Sequence, residues 1–427
     1  MDEQNLEQDK KVESSMSISS NDLLTTIYDI SRAIFRHLPI RSVDSCSLVC
    51  QSWTPIARLT KEHRHTIHTL SYPSDFSTLT SQNSYDLSDF DSYISSYISN
   101  KLWSLPSLAL VVTTNSLDRK GFISLSSSPS PVKHSKRTRS QATARETEIL
   151  NISQALIRHL NKSCKIFQTV SSGVVVTSDE NQSYEIEIGN AMGVLFFPKF
   201  PSNIFGIYPF EIKYNTKISD SMSRSDLHHL LGRVPDDIPI RCVIFFFTGR
   251  QSHSVDCIKK LLEYYSTDVV IIGGVVDKIR YNDRENQQKS LVYNTCGLAL
   301  TGDRKHLNIK QILLRSHLGT REAVKEKLKQ LKSIENNECL SFGIQVSCVA
   351  RGEEFYNGEK NVECSEFRSL FPKIPLIGIF GNGEIGHDYL LNDTEASEKE
   401  RTSINKIAID DVFHAYSTIF SLISLRM

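Results

Sequence analysis

The chain lacks net charge: 49 Lys and Arg balance 49 Asp and Glu over 427 residues. With no global field, nothing steers it toward nucleic acid or a membrane surface, and any basic function has to be local. Its nine cysteines include no CxxC pair and no regular spacing. That argues against a disulfide framework and for reduced thiols in the cytosol or nucleus. No apolar run approaches the ~20 residues of a transmembrane helix. The opening MDEQNLEQDKKVESS is polar and acidic rather than a signal peptide. Only His65 and His68 in the cluster around His63-Arg64-His65 have ligand-like spacing, and no Cys or carboxylate is suitably placed beside them. The cluster reads as a solvated basic turn. No metal, no cofactor and no membrane contact are expected, and the expected location is cytoplasmic and nuclear.

Hydrophobic residues make up 39% of the chain, below the globular average, so part of it is loop. Its length predicts two or three domains. Residues 1–20 have few apolar anchors and read as a disordered tail. Residues 21–65 read as three short helices. The first is capped by Asn21 or Asp22, with Leu24, Ile27, Ile30, Ile34 and Leu38 as its stripe and Pro39 as its stop. The second carries Val43, Cys46, Leu48 and Val49, and the third Trp53 and Ile56. Three such helices cannot close a core unaided, so an apolar face is expected to stay open for a partner.

A helix over residues 86–101 and a strand over 108–114 follow. Residues 115–145 then break the pattern, with a Ser/Pro-rich run and Lys133, Lys136, Arg137, Arg139 and Arg145 with no acid after them until Glu146. A solvated loop, a nuclear-import signal and a phosphate-contacting patch all fit this run. Aromatics are absent from it, which counts against nucleic acid, because single strands need stacking platforms.

From Glu146 the chain is regular again. A helix is predicted over 148–160, then strands at 165–170, 173–176, 184–188 and 192–197. A similar order recurs: strand 242–248, helix 255–265, strand 268–272, Gly274-Val275-Val276, then strands at 291–293 and 297–301. The repetition predicts two related α/β halves, with the basic segment an insertion in the first. A surface helix over 320–334 leads to the stretch that organises the rest, residues 340–388. Two apolar strands, 340–349 and 375–380, bracket a polar loop and a helix near 362–371. The tail over 413–425 is a last strand or a short buried helix.

Three features of that stretch carry possible chemistry. Cys348 ends a strand three residues before Arg351, whose guanidinium would favour thiolate if it lay near; a buried structural thiol is the alternative, and a catalytic nucleophile would also need a base such as His387. Arg351 and Glu384 each follow a strand end. Together they suit a zwitterionic ligand, Arg gripping a carboxylate and Glu an amine, or else they form a structural pair between two loops. Asn382, within Gly381-Asn382-Gly383, marks a hairpin turn or an anion-binding nest. The glycine spacing matches neither a P-loop nor a dinucleotide fingerprint.

The pattern Cys348-x-x-Arg351-Gly352, Glu363, Phe367, Pro375, Gly378 and Gly383-Glu384-Ile385 resembles the C-terminal part of the FIST domain. Ile34-Phe35-x-x-Leu38-Pro39 with Leu48-Val49-Cys50-x-x-Trp53 resembles an F-box, although the Leu-Pro usual at the start of that motif is missing. With residues 165–198 and 380–386, the whole resembles the F-box only protein 22 family. The resemblance implies an α+β protein: an all-helical F-box at 21–65, then a FIST domain whose halves span 66–235 and 236–427. It implies a non-catalytic substrate receptor of an SCF ubiquitin ligase that delivers proteins for proteasomal degradation. Leu38, Pro39, Val49, Cys50 and Trp53 would meet the adaptor and, through it, the cullin scaffold. The FIST domain would hold the target at or near Cys348, Arg351, Asn382 and Glu384, or sense a small amino-acid-like ligand there.

Overall fold

A computed structural model describes residues 28–74, 76, 88–120, 122–125, 147–150, 152–178, 182–201, 204–213, 216–249, 252–283, 288–293, 295–332, 339–390 and 407–426. They fall into two compact units that divide between Arg64 and His65.

The first unit is helical: α1 (Tyr28–Phe35), α2 (Ile40–Cys46) and α3 (Trp53–Glu62). Pro39 separates the first two, in extended backbone at the N-terminus of α2, where a missing N–H costs nothing. Phe35, Val43, Ile56 and Ala57 form the core, flanked by Leu38, Cys46 and Trp53. The Trp53 ring meets Phe35 edge-on at 5.2 Å. The inward face of α1 corrects the expected stripe. Ser31 and Phe35 are buried, while Ile30 and Ile34 stand 38% and 43% exposed. Phe35 fills the small core, with the Trp53 ring packed at its edge.

The second unit is built from one pattern used three times. An edge strand and a helix lead to a central strand; a second helix returns the chain to a strand parallel to it; two strands then depart, and a closing strand comes back antiparallel. In the first repeat these are β1 (His68–Tyr72), α4 (Ser88–Asn100), β2 (Pro106–Thr114), α6 (Ile152–His159), β5 (Lys165–Ser171), the departing β6 (Gly173–Thr177) and β7 (Ser183–Ile186), and β8 (Met192–Pro198). Between β2 and α6 are inserted α5 (Asn115–Lys120) and the paired β3 (Phe122–Leu125) and β4 (Thr147–Leu150). The second repeat is β9 (Phe205–Glu211), α7 (Arg224–Leu230), β10 (Ile240–Phe247), α8 (Ser252–Tyr265), β11 (Val270–Val275), the departing β12 (Lys278–Asp283) and β13 (Gln288–Tyr293), and β14 (Thr295–Gly302). The third is β15 (Leu307–Leu314), α9 (Arg321–Leu328), β16 (Cys339–Cys348), α10 (Val362–Leu370), β17 (Leu376–Gly381), the departing β18 (Glu384–Ile385) and β19 (Phe413–His414), and β20 (Thr418–Arg426). The repetition read in the sequence is present but has a third copy, which corrects the division into two halves at 235/236: β9 and α7, before that boundary, open the second repeat.

The strand orders are β1-β8-β2-β5-β12-β13, β9-β14-β10-β11-β18-β19 and β15-β20-β16-β17-β6-β7. The departing strands never join their own sheet. Those of the first repeat complete the third sheet, those of the second complete the first, and those of the third complete the second. The exchange is cyclic and closes on itself.

Alternation along each central strand explains the core. Leu108, Leu110 and Val112, then Cys242, Ile244 and Phe246, then Phe342, Ile344 and Val346 all point into one shared cluster. Val243, Phe245 and Phe247 pack outward with Cys257, Ile258 and Leu261 of α8. Strands covered on both faces read as unbroken apolar runs, which is why CVIFFF was recognisable as a strand.

Two local expectations are corrected. The helix predicted from residue 148 starts at Ile152, because 147–150 pair with 122–125 instead. Gly381-Asn382-Gly383 neither turns a hairpin nor forms a nest. Asn382 N–H donates to Val275 O and Val275 N–H to Gly383 O, both at 3.0 Å, so the chain crosses from the third sheet to the second. The tail is a strand, β20.

Candidate functional site

β16 lies parallel to β17 with Cys348 opposite Gly381, and a short 3-10 turn, Val349–Arg351, follows it. This turn sends the Arg351 side chain inward, where it is 1% exposed. Its Nε donates to Glu363 Oε1 at 2.9 Å, Nη1 to Arg315 O at 3.0 Å, and Nη2 to Leu318 O at 3.1 Å and Tyr356 Oη at 2.8 Å. Tyr356 in turn donates to Glu363 Oε1 at 2.6 Å, and the guanidinium sits 4.4 Å above the Phe355 ring. The pair proposed from sequence is therefore corrected. Arg351 pairs with Glu363 on α10, not with Glu384, and its donors are spent on the protein's own carbonyls and carboxylate.

Glu363 extends this network to the exchanged strands. Its Oε2 accepts from Gln345 Nε2 at 3.2 Å and Ser347 Oγ at 3.3 Å. Gln345 Nε2 also reaches Glu185 Oε1 at 3.0 Å, which takes Cys364 N–H at 2.8 Å as well. Glu185 sits on β7, a strand donated by the first repeat. Burial, then the charge of Glu363, push its carboxyl up to about 8. The sign of its pH linkage follows. The unfolded chain releases this proton near the ordinary value of about 4.3, so stability present below that pH is lost as pH rises toward 8. Glu185→Gln keeps an acceptor for Cys364 N–H. It should flatten the fall in melting temperature between pH 5 and pH 8; equal slopes in the two proteins would place the proton elsewhere.

Glu384 belongs to a separate cluster. It is 1% exposed and accepts from Ser417 Oγ at 2.8 Å and Ser417 N–H at 3.3 Å. Burial raises its carboxyl to about 7, and its Oε1 has no hydrogen-bond partner. The Cys348 thiol is pushed up by burial and by the Glu384 charge. The Arg351 guanidinium is bonded to Glu363, Tyr356 and two backbone carbonyls rather than to Cys348, and Cys348 is a buried thiol. His387 is buried with neither ring nitrogen bonded, and burial depresses it to about 4. Asn382 is exposed at the crossover.

In the helical unit, Leu38, Pro39, Cys50 and Trp53 are half-buried, and Leu38 and Trp53 pack on the core. Val49 is 63% exposed and Leu48 87%. Leu48 and Ile34, not singled out as candidates in the sequence, are also exposed. The available signal was their excess over what a four-residue core can cover. Lys133, Lys136, Arg137 and Arg139, like residues 1–20, lie outside the described residues.

The FIST C domain model matches residues 309–387, from β15 to the His387 turn. F-box only protein 22 of Homo sapiens is 30% identical over 297 residues, 67% of this chain and 70% of that one, and the protein of the same name from Pongo abelii gives the same figures. The chain belongs to the F-box only protein 22 family. An F-box/LRR-repeat protein of Arabidopsis thaliana is 25% identical over 238 residues, 50% of this chain and 43% of that one. In this member of the F-box only protein 22 family, the FIST C match covers Arg351, Glu363 and Glu384, while Glu185, joined to them through Gln345, and Ser417 lie outside it. Among its described residues no helix is long and apolar enough to cross a membrane.

Proposed function

We propose that the chain is the substrate-recognition subunit of an SCF-type ubiquitin ligase. The helical unit docks the adaptor and, through it, the cullin scaffold. The three-sheet domain holds a protein to be ubiquitinated for proteasomal degradation. The observation that carries this reading is the apolar exposure of the helical unit: Leu48, Val49, Ile34 and Ile30 stand in solvent around a core cluster of Phe35, Val43, Ile56 and Ala57. Such exposure is unfavourable in a monomer and suits a helical partner. In this role the chain makes and breaks no bonds; it raises the concentration of a target beside the ubiquitin-carrying enzyme.

Co-purification with adaptor and cullin tests the proposal. The half-buried Leu38 and Trp53 are poor positions to vary, because their loss damages the core. Leu48→Asp with Val49→Asp alters exposed positions only. The double variant should keep its melting temperature and lose adaptor binding by about 100-fold or more, since central apolar contacts dominate such interfaces. Adaptor binding unchanged in a folded variant would refute it. An amino-acid-like clamp does not fit Arg351, which is buried and committed to Glu363, Tyr356 and two backbone carbonyls.

A further inference from the structure

Around the end of β16 three apolar side chains stand in water: Val349 at 38% exposure, Tyr416 at 63% and Ile188 at 78%. They come from three distant stretches of chain. Val349 follows Cys348. Tyr416 precedes β20, where Cys348 N–H donates to Ser417 O at 2.9 Å. Ile188 follows Glu187, whose carboxylate accepts from Glu353 N–H at 2.7 Å. That carboxylate lies over Gly352, where a Cβ would come within 1.8 Å of Glu187 Oε2. Glycine at 352 is what allows so close an approach.

Single exposed hydrophobics are ordinary, but Val349 and Tyr416 flank the Cys348–Ser417 bond on neighbouring strands, and Ile188 adjoins the carboxylate that covers Gly352. Tyr416 adds a second observation. Its φ is 59°, a left-handed conformation that is sterically costly for a bulky side chain. The turn accepts that cost and holds an aromatic ring in solvent. Charge supplies the third. Glu187, Glu353 and Glu354 crowd one side of the patch, and burial together with the other two charges holds the Glu187 carboxyl above its ordinary range. Lys360 pairs with Glu353 at 3.4 Å and offsets one of these charges. The Arg351 guanidinium beneath is neutralised by Glu363.

We propose that this patch is where the sheet domain grips its target, and that the target presents a segment with a bulky apolar side chain next to Lys or Arg. The word target rests on the receptor reading; the binding does not. The apolar anchor would settle among Ile188, Val349 and Tyr416, and the cation would face Glu187 and Glu354.

The full chain, immobilised and panned with a displayed random-peptide library, tests this. Enriched peptides are resynthesised and their affinities measured by fluorescence anisotropy. They should combine Lys or Arg with Leu, Phe, Tyr or Trp. They should bind the Ile188→Ser/Val349→Ser/Tyr416→Ser variant about ten-fold or more weakly. Glu187→Gln with Glu354→Gln should remove most of the salt dependence of binding. Both variants should melt like the wild type and still capture the adaptor. Several results overturn the proposal: no enrichment, enriched peptides without cations, or affinity unchanged in the triple variant. A dimer that the triple variant dissociates would overturn it too, as would peptide binding that appears only after residues 126–146 are deleted. Failure of the wild-type chain to capture adaptor, with the peptide results as expected, would sink the receptor reading and leave the surface standing.

Discussion

Arg351→Ala lowers the stability of the sheet domain by about 3–5 kcal/mol, the usual consequence of removing one partner from a buried ion pair. The melting temperature falls by roughly 5–10 °C. The size of the effect comes from what is left behind. Glu363 is 1% exposed and would keep only Tyr356, Gln345 and Ser347 as partners, with the Glu185 carboxyl on the far side of Gln345. The carbonyls of Arg315 and Leu318 would lose a donor each. Adding Glu363→Gln to Arg351→Ala removes the stranded charge and should recover part of the loss, the sign that the pair and not the volume is responsible. Thermal unfolding followed by circular dichroism on the single and double variants gives both numbers. A loss below about 1 kcal/mol in Arg351→Ala would mean that the network is hydrated and works like a surface pair.

Neither residues 65–302 nor residues 303–427 fold when expressed alone, and the two fragments together reconstitute the domain. The cyclic exchange of strands dictates this. The third sheet takes β6 and β7 from the first repeat, and the second sheet takes β18 and β19 from the third. No cut after the second repeat leaves a complete set of sheets on one side. In the first fragment alone, Val174 and Val176 of β6 would lose the sheet they complete, and the shared core would lose Leu307, Ile309, Phe342, Ile344, Val346, Ile377, Ile419 and Ile423. Burying one such side chain contributes about 1.5–3 kcal/mol, so the deficit far exceeds the net stability of a domain, about 5–15 kcal/mol. Single expression should give insoluble material and co-expression a soluble pair with one cooperative melt. A sharp melt from either fragment by itself would contradict the exchange.

The elements were legible in the sequence where burial is two-sided. Runs such as CVIFFF and the Gly-Val-Val segments marked strands and the repeated order. The third repeat was hidden because its departing strands have shrunk to Glu384–Ile385 and Phe413–His414, two residues each, with a long segment between. Nothing that short carries a period. The exchange itself leaves no local trace, since β6 and β17 pair across about two hundred residues of chain. Arg351 was singled out but given the wrong partner: it pairs with Glu363. Glu384 and Arg351 both follow strand ends, whereas Glu363 sits on a helix where Val362, Glu363, Cys364, Glu366, Phe367 and Leu370 are all buried. A helix covered on most sides offers no polar face from which to infer where a carboxylate points. In the helical unit the motif located the helices, but the direction of α1 was set by Phe35 filling the core, and that turned Ile30 and Ile34 outward.

Hydrogen exchange on the intact chain with and without adaptor tests the receptor assignment most directly. Protection should appear in α1 around Ile30 and Ile34 and at Leu48-Val49, and the sheet domain from His65 onward should be unchanged. Adaptor present in excess with no protection between residues 28 and 64, or with protection confined to the sheets, would contradict it.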